Sequence, residues 1–463
     1  MRIKLLKITA FGSIVSLMLI LIAATLLEKL YGTSFALKEV YHSTWFIAAW
    51  SLLAVSAMTY TLCVSRRATL TVLHTSFAVI LLGAFTSFLT SRHGNIILAH
   101  DAVPASMYTS DDGKLEKLPF NLQVTDIDTI FSTNSKQPCD YKAYIVANDK
   151  KECKTLAVSL NNPAKIKGYS LCIKGVTEGN LSLLVAHDTI GLPISYIGYL
   201  MMFVSFIALF IDKQSCFTKI LQQLKKEDAK ASKSVAFITN RASELLIITT
   251  ALICIRWYRT GIFPVCNGAE SLMFLAWTTS IFATIFKLKK HVIHVTPMLV
   301  ILSVTALLIA LTSGWGKSNE IQPILRSPLL GIHVTTIIVA YALLCCTAIN
   351  AIIAVCSKNE ERRKTLAFFG RAMLYPATML LATGIFIGAI WANISWGRYW
   401  GWDPKEVWAL ITLLICSFAF HTHSLPFIAK PLFFHRYCIV IFLIMMFTYL
   451  GVNFLLGGMH SYM

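Results

Sequence analysis

Trp391-Ala-Asn-Ile-Ser-Trp396-Gly397-Arg398-Tyr399-Trp400-Gly401-Trp402-Asp403-Pro404-Lys405-Glu406-Val407-Trp408 joins two apolar runs, near 374–391 and 405–423. Each run has about the 20 residues that an α-helix needs to cross a bilayer. Nine more runs of that kind flank the pair, near 8–27, 44–64, 70–90, 190–211, 243–258, 269–287, 293–312, 331–354 and 437–456. The one at 243–258 is short and carries Arg256. The expected fold is an all-α polytopic membrane protein of about eleven transmembrane helices, with a small β-rich extracytoplasmic domain.

The bulk numbers agree. Of 463 residues, 56% are hydrophobic and 14% charged, and the mean hydropathy is +0.65. A soluble domain cannot hide that much apolar surface. The net charge of +18 would fit a nucleic-acid partner only if basic residues formed a stripe among exposed aromatics. Here they sit beside the apolar runs, so no nucleic acid is expected. The loops holding Arg2, Lys4 and Lys7, Arg66 and Arg67, Lys213 to Lys233, Lys287 to Lys290, Lys358 to Lys364, and Lys430 with Arg436 alternate along the chain. One topology puts all of them inside, with the N-terminus cytoplasmic and the C-terminus extracytoplasmic. The basic start, Met1 to Lys7, and its long apolar run read as a retained helix rather than a cleaved signal.

Four segments follow: a membrane segment of three helices over 1–93, a β-rich outer domain over 94–189, a fourth helix with a basic inside linker over 190–236, and a membrane domain over 237–463. The second is the only long polar stretch, with short alternating runs such as Asn121 to Ile127 and Tyr169 to Ile173 between turn residues. The 12 cysteines include no C-x-x-C pair, so metal ribbons and thioredoxin-like chemistry have no support. Cys139, Cys153 and Cys172 lie in the polar stretch, where one disulfide is open to them.

The opening loop has its own logic. Asp403 suits an N-cap, Pro404 suits N1 and Glu406 sits at N3, a capping box that starts the next helix. Gly397 and Gly401 let the backbone bend and admit a flat ligand. Five tryptophans in eighteen residues read equally as an interfacial aromatic belt and as a stacking platform for a planar apolar ligand.

The string WGRYWGWDPKEVW resembles the tryptophan-rich signature of the haem-handling protein family. Gly261-Ile-Phe-Pro264-Val-Cys-Asn267-Gly-Ala-Glu270-Ser271, His333-Val334 with Tyr341, and Gly451-Val-Asn453 through His460-Ser-Tyr462 point to its cytochrome c synthesis branch, CcsA. The N-terminal half resembles the CcsB/ResB partner family at His74-Thr-Ser76-Phe77 through Gly83-Ala84, Asn162-Pro163 with Gly168-Tyr169, and His187-Asp188 leading to Ile197-Gly198-Tyr199. The chain looks like a natural fusion of the two. It departs from the partner family in having an outer domain of only about 95 residues.

An ionisable group inside a span is a functional candidate by default, and depth chooses among the 12 histidines. His333 begins the eighth span at its outer end and His460 follows the last span, both near the level of the tryptophan loop. His421 lies roughly 26 Å down its helix from Pro404, and His74 roughly 24 Å from the outer end of the third span. The resemblance implies an inner pair, His74 and His421, on the route from the cytoplasm, and an outer pair, His333 and His460, at the reaction site. All four are expected axial ligands of haem iron, with haem b as ligand and substrate. The expected haem-binding set adds Trp391, Trp396, Gly397, Arg398, Tyr399, Trp400, Gly401, Trp402, Asp403 and Trp408. The expected catalytic set is His333, His460, Trp396, Trp400, Trp402 and Asp403.

The resemblance further implies a holocytochrome c synthase (haem lyase) of the bacterial inner membrane, joining haem vinyl groups to the thiols of a C-x-x-C-H motif in apocytochromes c. An extracytoplasmic thiol-reducing protein is the implied partner. The alternative is a haem transporter or chaperone without ligation activity, since such proteins share the tryptophan signature. An ion or solute transporter often shows a cluster of buried carboxylates or paired broken helices of similar halves, and the runs offer neither.

Overall fold

The computed structural model describes residues 2–65, 67–100, 103–131, 138–149, 152–177, 179–224, 238–287, 295–315 and 323–456. His460, Tyr462, His291 and His294 lie outside the described residues, as do residues 225–237, the second part of the basic linker. Every one of the eleven apolar runs contains a helix. We label the principal helices α1 (Arg2–Tyr31), α2 (Thr44–Val64), α3 (Ala68–Thr90), α4 (Gly191–Ile211), α5 (Cys216–Leu224), α6 (Ala242–Thr260), α7 (Gly268–Lys287), α8 (Thr296–Thr312), α9 (Pro328–Cys356), α10 (Glu360–Trp396), α11 (Pro404–Phe418) and α12 (Pro431–Met446).

Among the described residues, nine helical segments are long and apolar enough to cross a membrane. α8, with 17 residues, and α11, with 15, are shorter, and α5 is an additional amphipathic helix in the stretch expected to be linker. The chain is a multi-pass membrane protein. Its outward side chains include Val55 on α2, Leu200 on α4 and Ile301 on α8, all exposed, which suits lipid rather than water. The core is centred on α9, in which Tyr341 through Ala348 are all buried, packed between α10 and α12 with Leu374, Leu381 and Phe434 fully covered.

The polar stretch folds as an eight-stranded antiparallel sheet from Arg92 to His187, two residues earlier at its start than the sequence reading. We label its strands β1 (Arg92–Ala99), β2 (Ala105–Ser110), β3 (Leu115–Phe131), β4 (Pro138–Asp149), β5 (Glu152–Ser159), β6 (Ala164–Ile166), β7 (Tyr169–Thr177) and β8 (Asn180–His187). The spatial order is β5-β4-β3-β2-β1-β8-β7-β6. The sheet curls until β5 meets β6 and β7, enclosing Tyr108, Leu122, Ile145, Leu171 and Leu183. The disulfide left open by the sequence is not formed: Cys139, Cys153 and Cys172 are free, and Cys172 is buried.

The first module is joined by close backbone packing. A Cβ on Gly83 of α3 would come within 2.5 Å of the Ser195 backbone nitrogen on α4, and one on Gly191 within 2.3 Å of the Ser87 nitrogen. Asp188 fixes this junction. It accepts from the amides of Gly191 and Leu192, at 2.9 and 3.2 Å, and from the Ser87 hydroxyl.

Candidate functional site

The tryptophan loop begins where α10 ends. Gly397 caps that helix in the left-handed region, φ 72°, and its amide donates to Asn393. A Cβ there would come within 2.8 Å of Ala186 on β8, so the glycine also lets the curled sheet dock. Cys172 Sγ lies 3.5 Å from the Ile394 carbonyl, and Ser395 donates to Asn161 at 3.1 Å. Arg398 faces Asp111 at 3.9 Å across the same seam. Burial, then the positive charge of Arg398, holds His93 on β1 below the usual histidine range, while burial pushes the Cys172 thiol up to about 11, which makes it inert at neutral pH.

The far end of the loop is the expected capping box, with both reciprocal bonds present between Asp403 and Glu406. Glu406 also accepts from the Gly401 amide at 2.9 Å. Between these anchors Trp402 takes a φ of 59°, costly for a residue with a Cβ. Tyr41 stacks on its ring at 4.7 Å with an interplanar angle of 9°, and Phe46 and Trp400 meet it edge-on at 5.3 and 5.8 Å. Tyr41 and Phe46 come from the N-terminal module, so the loop is held by both halves of the chain. The sequence reading missed them, although a tyrosine and a phenylalanine beside the start of a span were the available signal.

The five tryptophans have different surroundings. Trp391 is buried and packs edge-on against Trp396, with centroids 4.8 Å apart. Trp408 donates to Thr25 of α1 at 3.2 Å and lies 4.2 Å from the Phe447 ring, bracing α11. Trp391 Nε1, Trp400 Nε1 and the Tyr41 hydroxyl are buried without a hydrogen-bond partner among the described residues. Buried donors are normally satisfied, so these three fit a ligand that brings acceptor oxygens to the loop. Burial, with the charges of Glu28, Asp403 and Glu406, raises the Tyr41 phenol, keeping it a donor. Tyr399 lies in the same loop.

His333 lies on the first turns of α9 at this end of the bundle. Its Nδ1 is 2.7 Å from the Gly384 carbonyl. A Cβ on Gly388 would come within 2.6 Å of the imidazole, so the glycine makes room for the ring. Its expected partner, His460, lies outside the described residues.

His74 and His421 meet at the opposite end, where the basic loops lie. Their ring centroids are 6.1 Å apart with planes at 83°. Each Nδ1 bonds a carbonyl four residues back, His74 to Leu70 at 2.8 Å and His421 to Ser417 at 3.0 Å. A carbonyl only accepts, so Nδ1 carries a proton, and in the neutral ring that leaves the lone pair on Nε2, the tautomer that ligates a metal. A metal–imidazole bond of about 2 Å, plus about 1.2 Å from nitrogen to ring centre, sets the centroids of a bis-imidazole pair about 6.4 Å apart. The observed centroid spacing is near that value. One expectation is corrected. α11 stops at Phe418, so His421 sits in the turn beyond rather than on the helix. Bonds from Phe420 N to Ser417 O and from His421 N to Phe418 O close that turn. Phe11 of α1 packs edge-on against His421 at 5.4 Å, and the Tyr60 hydroxyl lies 2.8 Å from that of Ser424. No local pattern in the chain points to these neighbours.

Residues 265–460 match the model of the cytochrome C assembly protein family. A cytochrome c biogenesis protein CcsA of Pyropia yezoensis is 34% identical over 271 residues, taking 47% of this chain and 83% of that protein. The chain belongs to the CcsA family. Further CcsA proteins, of Chlamydomonas reinhardtii and Guillardia theta, are each 34% identical and are covered over 69% and 88% of their lengths. Beyond this CcsA portion, residues 64–188 match the ResB-like family, so one chain carries both segments. The ResB-like segment includes His74 and the CcsA portion His421. The inner histidine pair therefore spans the two.

Proposed function

We propose that this protein acts in cytochrome c maturation as a holocytochrome c synthase, receiving haem b at its basic end and attaching it to apocytochromes c at the tryptophan loop. The basic end then faces the cytoplasm of a bacterial-type cell, and the curled sheet and the loop face outward. The observation that carries the reading is the His74–His421 pair: two imidazoles from two family segments, with spacing and tautomers suited to iron.

In this account His74 and His421 hold haem on arrival, and His333 with His460 hold it at the loop. Trp396, Trp400 and Trp402 supply apolar stacking surface, and Trp391, Trp400 and Tyr41 supply donors for carboxylate oxygens. Gly397, Gly401 and Asp403 set the backbone that presents them. Trp408, Tyr399 and Arg398 keep the loop in place. The attacking thiols belong to the substrate. Each S–H adds across one haem vinyl group, sulfur to one carbon and hydrogen to the other, so no net oxidation occurs. The histidine of C-x-x-C-H replaces one axial imidazole and carries the thiols to the vinyl carbons, and positioning supplies the acceleration. Reduced thiols are needed, and a thiol-reducing partner on the outer side would maintain them.

Co-expression with an apocytochrome c in a host lacking its own maturation system tests this. Covalent haem on the cytochrome, retained through denaturing electrophoresis and lost with Cys→Ala changes in the substrate motif, supports the synthase. Haem bound to this protein with none transferred supports the chaperone alternative instead.

A further inference from the structure

A cavity of about 220 Å³ lies at the basic end, between α5, α10 and the loop that follows α11. Lys219 of α5, Arg371 and Tyr375 of α10, and Thr422 of the loop supply its polar lining. Arg371 is built into place. One of its terminal nitrogens donates to the carbonyls of Ile428 and Ala429 at 3.1 and 3.4 Å, and its guanidinium lies over the Phe434 ring at 4.4 Å. Its Nε is buried without a partner, and neither Arg371 nor Lys219 has an ion pair among the described residues. A half-buried guanidinium gains from an anion beside it, and its planar fork matches a carboxylate or phosphate.

The cavity adjoins the inner histidines. Tyr375 stacks on Phe420 at 4.2 Å, the residue before His421, and Thr422 follows it. Arg67, whose charge also reaches Tyr375, caps the start of α3, seven residues before His74. The cavity is open on one side, so an anionic arm can enter while the group that carries it stays outside.

We propose that Arg371, Lys219 and Tyr375 form an anion site that takes the carboxylate side chains of a haem whose iron lies between His74 and His421. This rests on the haem reading of that pair. The bound chemistry is an anionic oxygen group, which a phospholipid headgroup also carries, and the experiment separates the two.

Haem-depleted protein carrying His333→Ala and His460→Ala, which leaves only the inner pair to read, is titrated in neutral detergent with haem and with haem dimethyl ester. The Soret band reports binding. The expected result is haem bound at least about tenfold more tightly than the ester. Arg371→Gln and Lys219→Gln each bring the ratio toward one while leaving the ester's affinity unchanged, and Arg371→Lys retains part of the preference. Equal binding of both ligands by the unsubstituted site overturns the proposal alone. An Arg371→Gln protein that keeps the full preference and loses co-purified anionic phospholipid overturns it in favour of a headgroup. Uptake of neither ligand overturns the reading of the histidine pair and this site with it.

Discussion

Replacing Glu406 with alanine is expected to release Trp402. The left-handed conformation of that residue, φ 59°, costs about 1–2 kcal/mol. Opposing this are the Gly401 and Asp403 amides on either side of it, which donate to one Glu406 oxygen at 2.9 and 3.3 Å. Bonds to a charged acceptor contribute about 1.5–3 kcal/mol each. The longer one belongs at the low end, so together they supply about 3–4 kcal/mol. The stack on Tyr41 adds about 0.5–1.5 kcal/mol, which alone only balances the strain. Without the carboxylate the loop opens. A loss of about 3 kcal/mol is about a hundredfold in an equilibrium constant, so hydrogen exchange at Gly401 and Asp403 should speed up by about two orders of magnitude. Mass spectrometry of a peptide covering 399–405 reads this. Glu406→Gln, which keeps an acceptor oxygen, should give a smaller effect. Unchanged protection in Glu406→Ala would refute the claim that this carboxylate holds Trp402.

Three further outcomes follow from the packing and the charges. Gly83→Val should destabilise the α3–α4 junction by about 3 kcal/mol or more, because its Cβ meets backbone that cannot move aside; thermal unfolding in detergent measures it, and an unchanged midpoint would contradict the close approach. Glu270→Gln breaks a buried pair in which Arg256 donates at 3.1 and 3.2 Å, with an expected cost of about 3–5 kcal/mol, whereas the apolar pair Arg256→Met with Glu270→Leu should cost far less. His93 is held below its ordinary value of 6.5 by burial and Arg398, with Asp111 and Asp188 acting in the opposite direction. The unfolded chain therefore takes up a proton that the folded site refuses, so stability present above pH 6.5 declines as pH falls toward the depressed folded value; His93→Gln should flatten that slope in unfolding measured from pH 7.5 to 5.

Local signals were legible in the sequence. The apolar runs, the β-rich stretch and the capping box at Asp403 and Glu406 depend on composition, alternation or spacing within a few residues, and each is found along the chain where it was expected. The pairing of His74 with His421 was reached by counting depth along two helices, even though α11 ends three residues short of His421. Tertiary neighbours were not legible. Tyr41 and Trp402 lie far apart in the chain, as do Phe11 and His421, and no local pattern selects one aromatic partner from 54 candidates. Cys172 shows the same limit. Its place in a polar stretch left it open to a disulfide, while the fold buries it against the tryptophan loop.

The central claim is that His74 and His421 hold one haem iron between the ResB-like and CcsA segments. Absorption spectra of the protein purified in mild detergent, oxidised and dithionite-reduced, test it most directly, with His333→Ala removing the other site's described ligand. The account predicts a low-spin bis-imidazole spectrum that is lost in His74→Ala and in His421→Ala and is restored in each by added imidazole. A spectrum that either single substitution leaves unchanged, or a protein that takes up no haem with both imidazoles intact, would contradict it.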